Sequence, residues 1–524
     1  MTGSQLGGPG GGAVPGSEPV GTCCFVLHSH LPWVAHASAW PVGEEWLHQA
    51  WSASYRPLVA MFERLADEGR RDLLTLGVTP VLAAMLDDPY CLRELHAWLG
   101  GWQLRAEELA GRREAHLRAL AGAEFRTATA ALADFESRWR HGGSPVLRRL
   151  VDAGVVELLG GPATHPFQPL LDPRVARFAL EVGRDDTAIR LGRRTEGIWA
   201  PECGYRPGLE RLYAAADVRR FLVDGPTLIA GRAGDVMATA DAWMVGDSHV
   251  VAFGRDLDVT YRAWAPRSGY PGGRWYRDFH TFDHPSGFRP ARVTSRRTAP
   301  ADKRPYDAAA ARAAVTADAA DFVDVVRRRL ADVAAARGRP GVVVVAYDTE
   351  LFGHWWYEGP WWLEAVLRQL PSAGVRVGTL AQAVAGGAVA GRVDLPAGSW
   401  GSGKDWRVWA GDQVADLVET AAAVQARLLA VVDAALPADR GRARRPELDQ
   451  LAREALLVTA SDWAFCVTRD SAADYARHRA ATHTARFHAL ADLIECGDEA
   501  AARSAAEACR RTDGPFGFLD ARRL

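Results

Sequence analysis

The sequence has 524 residues, 48% of them apolar and 24% charged, which is enough material for large cores in roughly two to four domains. Lys and Arg total 62 against 64 for Asp and Glu, and this balance argues against a nucleic-acid or membrane-surface partner. The seven cysteines form no CxxC pair, which favours a reducing cytoplasm, and no apolar run reaches the ~18 residues of a membrane span. Tryptophan is abundant, with 19 residues, and suggests flat apolar ligands.

The chain begins with a segment rich in Gly, Pro and Ser, residues 1–20, which is predicted to be a disordered tail and not a signal peptide. Residues 22–27 then form a short apolar strand that leads into His28 and His30. Because alternate residues of a strand share a face, both histidines can enter one pocket. They could bind a metal ion or donate hydrogen bonds to sugar hydroxyls.

A long helical stretch interrupts the strands. Residues 72–79 are predicted as the second strand, but from about residue 87 to residue 145 the sequence is rich in Ala, Leu, Glu and Arg at helical spacing, without a strand candidate. Two parallel strands need only one crossover helix. The excess is therefore predicted to be a helical insertion.

A buried strand followed by a Gly/Pro loop and a polar residue then recurs. Residues 155–161 lead to His165 and Gln168, and residues 197–200 lead to Glu202. In a barrel of parallel strands, side chains at the carboxyl ends of the strands point into the mouth where chemistry occurs. The repetition favours a barrel mouth over unrelated turns.

A second carboxylate occupies an equivalent strand exit. Residues 341–347 are the strongest buried strand and end at Asp348, with His354 and two tryptophans close behind. Residues 261–288 are rich in aromatic side chains, among them Trp264, and are interpreted equally as a wall for a glucan chain or as a packed surface loop.

The composition changes beyond about residue 391. A Trp-rich loop precedes four predicted helices at 412–436, 447–467, 472–496 and 498–511, and Asp462 interrupts an apolar run where a neighbouring domain could use it. We therefore predict a catalytic unit at 21–390, a C-terminal helical domain at 391–514 and a tail at 515–524.

Two carboxylates with histidines, a glutamine and many tryptophans fit the cleavage of a glycosidic bond. One carboxylate would attack the anomeric carbon, and the other would protonate the leaving oxygen and then activate the acceptor. A desolvated, Trp-lined setting would raise the pKa of the acid. The sequence contains no GxxxxGK[ST], GxGxxG or GxSxG motif, which argues against phosphoryl transfer and serine nucleophiles.

Five motifs in order resemble those of glycoside hydrolase family 57, and most closely those of its 1,4-α-glucan branching enzymes, from about residue 21 to residue 490. The motifs are His28-Ser-His30-Leu-Pro, Thr164-His-Pro-Phe-Gln-Pro169, Trp199-Ala-Pro-Glu-Cys-Gly-Tyr205, Tyr347-Asp-Thr-Glu-Leu-Phe-Gly-His-Trp-Trp356 and Ser461-Asp-Trp463. The resemblance implies an α/β fold, a (β/α)7 barrel that is a distorted TIM-like barrel, with a helical insertion and a C-terminal helical bundle.

The resemblance also implies roles. Glu202 would be the nucleophile and Asp348 the general acid/base of a retaining reaction that needs no metal and no other cofactor. The expected substrate-binding residues are His28, His30, Trp33, His165, Gln168, Trp264, His354, Trp400, Trp409 and Asp462, with the four tryptophans stacking on the glucan. The expected partner is an α-glucan such as amylose or glycogen, with no nucleic acid and no membrane, for a cytoplasmic monomer or small homo-oligomer.

The chain departs from the family pattern in three places. Thr349 replaces a small apolar residue, and Ser402 and Lys404 interrupt a loop that is usually acidic and glycine-rich. No tyrosine occurs from residue 221 to residue 260, where branching members carry one in a loop over the site. The alternatives are an α-amylase or 4-α-glucanotransferase of the family, a zinc-dependent carbohydrate hydrolase or deacetylase, and a non-catalytic glucan-binding protein.

Overall fold

The computed structural model describes residues 18–265, 268–436 and 443–524, so nearly all of the predicted N-terminal tail lies outside the described residues. Ten strands of these residues form one sheet. They are β1 Gly21–Ser29, β2 Leu74–Val78, β3 Val156–Gly160, β4 Gly197–Ile198, β5 Arg220–Val223, β6 Ala242–Val245, β7 Val251–Gly254, β8 Gly341–Asp348, β9 Val375–Val377 and β10 Val389–Val393.

Seven of the strands run parallel in the order β7-β5-β4-β3-β2-β1-β8. The sheet curls toward closure, because the Asp256 N–H, just after β7, donates a 2.8 Å hydrogen bond to the carbonyl of Val344 in β8. β6 joins antiparallel to β7, β10 extends that edge, and β9 pairs with β1. This arrangement confirms the predicted (β/α)7 barrel.

The two longest strands, β1 and β8, explain why the barrel could be predicted from the sequence. β1 and β8 pair in register from Gly21 opposite Gly341 to His28 opposite Asp348. Both strands are apolar along nearly their whole length, as expected for parallel strands covered on both faces. Their carboxyl ends therefore place His28 and Asp348 side by side at the same rim.

Nineteen α-helices of the described residues surround the sheet and build the C-terminal part. They are α1 Glu44–Ala50, α2 Arg56–Asp67, α3 Pro80–Asp87, α4 Pro89–Ala110, α5 Ala115–Asp134, α6 Ser144–Asp152, α7 Pro173–Leu191, α8 Leu209–Ala215, α9 Gly225–Gly231, α10 Leu257–Ala263, α11 Ala308–Arg337, α12 Gly359–Ser372, α13 Leu380–Ala385, α14 Arg407–Ala410, α15 Ala415–Ala435, α16 Pro446–Val458, α17 Ser461–Arg469, α18 Ala473–Glu495 and α19 Glu499–Thr512. Within the described residues, no helix is both long and apolar enough to span a bilayer.

Four helices, α3 to α6, separate β2 from β3, where one crossover helix would suffice. The long helices α4 and α5 are joined by a 3.1 Å hydrogen bond from Trp102 Nε1 to Glu124 Oε2, both buried. This is the segment expected at residues 87–145. The domain boundaries themselves stay a prediction.

The last ten residues differ from the tail expected at 515–524. Phe516, Leu519 and Leu524 are buried in the core formed with α16, and Arg453 of α16 donates to the carbonyls of Pro515 and Phe516. Gly, Pro and Arg near a chain end are typical of a tail, but here apolar side chains between them dock the segment on the helical domain.

We expect Leu519→Ala to lower the free energy of unfolding by about 2–5 kcal/mol, because it leaves a cavity where a fully buried side chain was. The matched control is Leu104→Ala, since Leu104 is 67% exposed and its loss should change stability by less than about 0.5 kcal/mol. Urea denaturation followed by circular dichroism compares the two variants. Equal midpoints would show that residues 515–524 are not anchored.

Candidate active site

Glu202 lies on a strained turn beyond the carboxyl end of β4. Glu202 and Cys203 have φ angles of 62° and 50°, a left-handed conformation that costs a non-glycine residue about 1–3 kcal/mol. Pro201 ends the strand, since it has no N–H for the ladder. The carbonyl of Glu202 accepts a 2.9 Å hydrogen bond from the backbone N–H of Trp400, which helps to hold the turn.

Both oxygens of the Glu202 carboxylate are engaged. Oε1 accepts from Ser461 Oγ at 2.9 Å, and Oε2 accepts from Trp400 Nε1 at 2.8 Å. Burial raises the pKa of Glu202 to about 7, and the charge of Asp462 adds to this, while the two hydrogen bonds oppose it. The carboxylate is therefore fixed in orientation and titrates near neutrality.

Asp348 ends β8, at the same carboxyl-end rim of the sheet. Burial raises its pKa to about 6, against the charges of Arg255 and His30. A carboxyl whose pKa lies this high can hold a proton near neutral pH, which a general acid must do. The structure therefore provides two carboxyls with raised pKa values at strand exits.

Three histidines form a continuous cluster beside Glu202. His28 Nε2 and His165 Nε2 lie 3.0 Å apart, and the rings of His30 and His165 stack with centroids 3.8 Å apart. His165 Nδ1 lies 3.0 Å from Ser461 Oγ, the same hydroxyl that binds Glu202. His28 stacks on Trp199, with centroids 4.3 Å apart.

The histidines differ in charge. Burial and neighbouring imidazoles hold the pKa values of His28 and His165 well below the ordinary value. Burial also lowers the pKa of His30, but the charge of Asp462 and its 3.1 Å hydrogen bonds, together with the charges of Glu202 and Glu350, outweigh this, and the net pKa is raised. The cluster therefore combines two neutral rings with one that favours the imidazolium.

The cluster could also hold a metal ion by geometry. His30, His165 and Asp462 each place a ligand-type atom within 4.8 Å of the other two. These atoms are already hydrogen-bonded to one another or to neighbouring side chains, as described above. A zinc-dependent hydrolase would bind its metal ion at these three side chains.

The four tryptophans expected to stack on glucan differ in exposure: two are partly exposed and two are buried. Trp264 is 40% exposed and parallel to Trp355, with centroids 5.9 Å apart, and Trp400 is half-buried above Glu202. Trp33 and Trp409, in contrast, are 3% and 1% exposed.

The positions of Trp33 and Trp409 correct the expectation that they stack on substrate. Trp33 Nε1 donates to Asp513 Oδ1 at 2.8 Å, and Trp409 stacks on Phe167 with centroids 4.9 Å apart. Neither ring presents a free face to a sugar, because both are buried between the barrel and the C-terminal helices.

Gln168 and His354 also lie apart from the cluster. Gln168 is fully buried and accepts a 2.8 Å hydrogen bond from Tyr213 Oη. The expected direct contact between Gln168 and the substrate therefore does not fit this structure. His354 is half-buried with its ring edge against Phe279, and burial lowers its pKa to about 3. A neutral His354 can donate or accept a hydrogen bond but carries no charge.

Three further groups lie at the site, and the sequence predictions gave none of them a role. Ser461 is hydrogen-bonded to both Glu202 and His165. Its position in the motif Ser461-Asp-Trp463, directly before Asp462, is the feature of the sequence that could have identified it. Glu350 accepts hydrogen bonds from Tyr55 Oη and from the His30 N–H, and burial together with the charge of Asp348 raises its pKa to about 8. Asp224, fully buried, forms an ion pair with Arg255.

Comparisons with known proteins agree with this geometry. Residues 24–268 match the model of glycosyl hydrolase family 57, and residues 421–523 match that of the 1,4-alpha-glucan branching enzyme C-terminal domain. A probable 1,4-alpha-glucan branching enzyme of Mycobacterium tuberculosis H37Rv is 54% identical over 97% of this chain and 99% of its own length.

Two solved structures share the fold. The family 57 branching enzyme of Pyrococcus horikoshii aligns with a TM-score of 0.89 and 30% identity over 96% of each chain. The alpha-amylase AmyC of Thermotoga maritima aligns with a TM-score of 0.85 and 25% identity over 96% of this chain and 98% of its own. The full-length identity, the matching family models and the shared fold establish that this chain belongs to glycosyl hydrolase family 57.

Proposed function

We propose that the protein is a retaining 1,4-α-glucan branching enzyme, which cleaves an α-1,4 linkage and transfers the released segment to a 6-hydroxyl of an α-glucan. The observation that supports this most directly is the pair of strand-end carboxyls, Glu202 and Asp348, with raised pKa values beside a histidine cluster. The name of the 54% identical relative supports branching as the outcome.

In the first half of the reaction, ionised Glu202 attacks the anomeric carbon while Asp348 gives its proton to the leaving 4-oxygen. The C1–O4 bond breaks, and an ester bond forms between C1 and the Glu202 carboxylate. Ser461 and Trp400 hold the carboxylate in one orientation, so little rotational freedom remains to be lost in the attack.

In the second half, the carboxylate of Asp348 takes the proton from the 6-hydroxyl of an acceptor glucan. The C1–O6 bond forms, the ester bond breaks, and Glu202 returns to its ionised state. The neutral His28 and His165 can exchange hydrogen bonds with sugar hydroxyls without adding charge, whereas His30 and Asp462 form a fixed ion pair.

We further infer that the protein works in a reducing compartment such as the cytoplasm, as a monomer or small homo-oligomer. All seven cysteines are free thiols, and five of them are buried. Such cysteine usage is typical of proteins that do not depend on disulfides.

We expect Glu202→Gln and Asp348→Asn each to lower branching by at least about 10³-fold, because each removes a group required in both half-reactions. Proton NMR of amylose incubated with the purified protein measures the new α-1,6 anomeric signals and, separately, reducing ends. The controls are Glu419→Gln and Asp258→Asn, which change exposed carboxylates.

The products decide between the family's activities. Growth of α-1,6 signals without matching reducing ends supports branching. Reducing ends alone would make the protein an amylase, and redistributed α-1,4 chains without branches would make it a 4-α-glucanotransferase. Full activity in either catalytic variant would refute the assigned roles.

We expect the activity to have a bell-shaped pH dependence with its maximum between pH 6 and 7, set by the pKa values of about 6 for Asp348 and about 7 for Glu202. Activity falls at lower pH because Glu202 becomes protonated, and at higher pH because Asp348 loses its proton.

Trp400→Phe tests the acidic side of this profile. The indole N–H lowers the pKa of Glu202, so its removal should raise that pKa. The ratio of variant to wild-type kcat/KM should therefore decrease as the pH falls and level off at alkaline pH. A ratio that does not vary with pH would show that this hydrogen bond does not control the ionisation of Glu202.

We expect exhaustive chelation to leave the wild-type rate unchanged, since neither half-reaction uses a metal. The measurement is branching activity after dialysis against a chelator, with and without added Zn²⁺, beside a known zinc hydrolase as positive control. Loss of activity that Zn²⁺ restores would favour a metal at His30, His165 and Asp462.

A further inference from the structure

Residues 398–406 lie in the loop after β10. They contact Glu202 through Trp400 and are bound to the barrel at two further points. Trp400 binds Glu202 through both its backbone N–H and its indole. At the start of the loop, Gly398 exchanges backbone hydrogen bonds of 3.0 and 3.1 Å with Tyr205, which follows Glu202. The second fastening is a side chain, that of Lys404.

The ammonium of Lys404 has three oxygen neighbours, one in an ion pair and two as hydrogen-bond acceptors. Nζ lies 2.7 Å from Asp224 Oδ2, 3.1 Å from the carbonyl of Trp400 and 3.2 Å from Tyr261 Oη. Asp224 follows β5 and is fully buried, and its other oxygen, Oδ1, pairs with Arg255 at 2.8 Å. Lys404 therefore connects the Trp400 loop to a charge fixed in the barrel.

The residue type at position 404 is informative, because lysine is rare in this sequence. Only Lys303 and Lys404 are lysines among the 62 basic residues of this sequence, and all the others are arginine. Lys303 also pairs with a buried aspartate, Asp278, at 2.7 Å. A compact ammonium can direct three N–H groups to separate oxygens, whereas the flat guanidinium of arginine presents its donors in a rigid fork.

The backbone conformation of Lys404 is a second indication that this position requires a lysine side chain. Lys404 has a φ angle of 62°, in the left-handed region that favours glycine or asparagine. The loop thus accepts a strained lysine where a glycine would be relaxed. A strained residue is retained only where the surrounding contacts hold it. Here the ammonium contacts act together with two backbone hydrogen bonds of the loop, from the Lys404 N–H to the Gly401 carbonyl at 3.1 Å and from the Ser399 N–H to the Lys404 carbonyl at 3.3 Å.

We propose that Lys404 is a positioning residue, which clasps the 398–406 loop to Asp224 and so keeps Trp400 hydrogen-bonded to the nucleophile Glu202. Arg255 assists, because its guanidinium lies 5.3 Å above the Trp400 ring and fixes Asp224 from the other side. The inference rests on the proposed function, since it concerns the same carboxylate.

The principal test is Lys404→Met, which should fold because Arg255 still pairs with Asp224 and the Lys404 side chain is 29% exposed. We expect kcat/KM for amylose to fall on the order of tenfold at acidic pH and by less at alkaline pH, because the nucleophile is held less well and ionises less easily. The other titratable groups that face Glu202 are His30, His165, Asp462, Cys203 and Cys466, and all are unchanged in this variant. The assay counts total α-1,4 bonds cleaved, so it works whichever product forms.

A double-mutant cycle identifies the route of the effect. If Lys404 acts through Trp400, the Trp400→Phe, Lys404→Met double variant should lose no more activity than Trp400→Phe alone, with the same pH dependence. Multiplying losses would overturn the proposal. Lys404→Arg, which keeps the charge, should recover part of the lost activity at acidic pH.

Two controls separate positioning from stability. Lys303→Met removes the other lysine from its buried aspartate and should lower the melting temperature while the pH dependence stays that of the wild type. Lys404→Gly removes the clasp but relaxes the backbone, so we expect lost activity without a large loss of stability. Full activity in Lys404→Gly would overturn the proposal, whereas an inactive wild type would instead refute the proposed function.

Discussion

The orientation of the Glu202 carboxylate depends on two hydrogen bonds that come from outside the first part of the barrel. Trp400 lies in the loop after the last strand, and Ser461 begins α17 of the helical domain. Between them they hold a residue whose backbone is strained and whose side chain is removed from water. The surroundings of Glu202, the proposed nucleophile, are thus complete only when the barrel and the helical domain are joined.

The same junction supports the histidine cluster. The Ser461 N–H donates to the His165 carbonyl at 3.1 Å, and Thr164 Oγ1 donates to the Leu456 carbonyl at 2.6 Å. Asp462 then sets the charge of His30 from the helical side. The start of α17 therefore contacts both the Glu202 carboxylate and the histidine cluster, so the helical domain supplies part of the proposed active site.

Which side chains lie at the rim of the sheet could be predicted from the sequence, whereas the packing around them could not. Glu202, Asp348, His28 and His165 could be found because strand, loop and polar residue recur, and parallel strands place such residues at one edge. Trp33 and Trp409 could not be assigned in this way, because an apolar ring that packs at a domain interface has the same sequence signature as one that stacks on sugar. The packing of residues 515–524 and the clasp at Lys404 depend on contacts across more than 60 residues, which local patterns do not record.

The pairing of β1 with β8 has a consequence for how the chain is made. Gly21 lies opposite Gly341, so 320 residues must be synthesised after the first strand before its partner exists. At about 5–20 residues per second, this edge of β1 stays open for roughly 16–64 s while the chain is still on the ribosome. During that interval a strand of the apolar segment Gly21–Ser29 has exposed backbone donors and acceptors on one side. The nascent chain therefore has a long window in which a chaperone, or a neighbouring nascent chain, competes with β8 for its first strand.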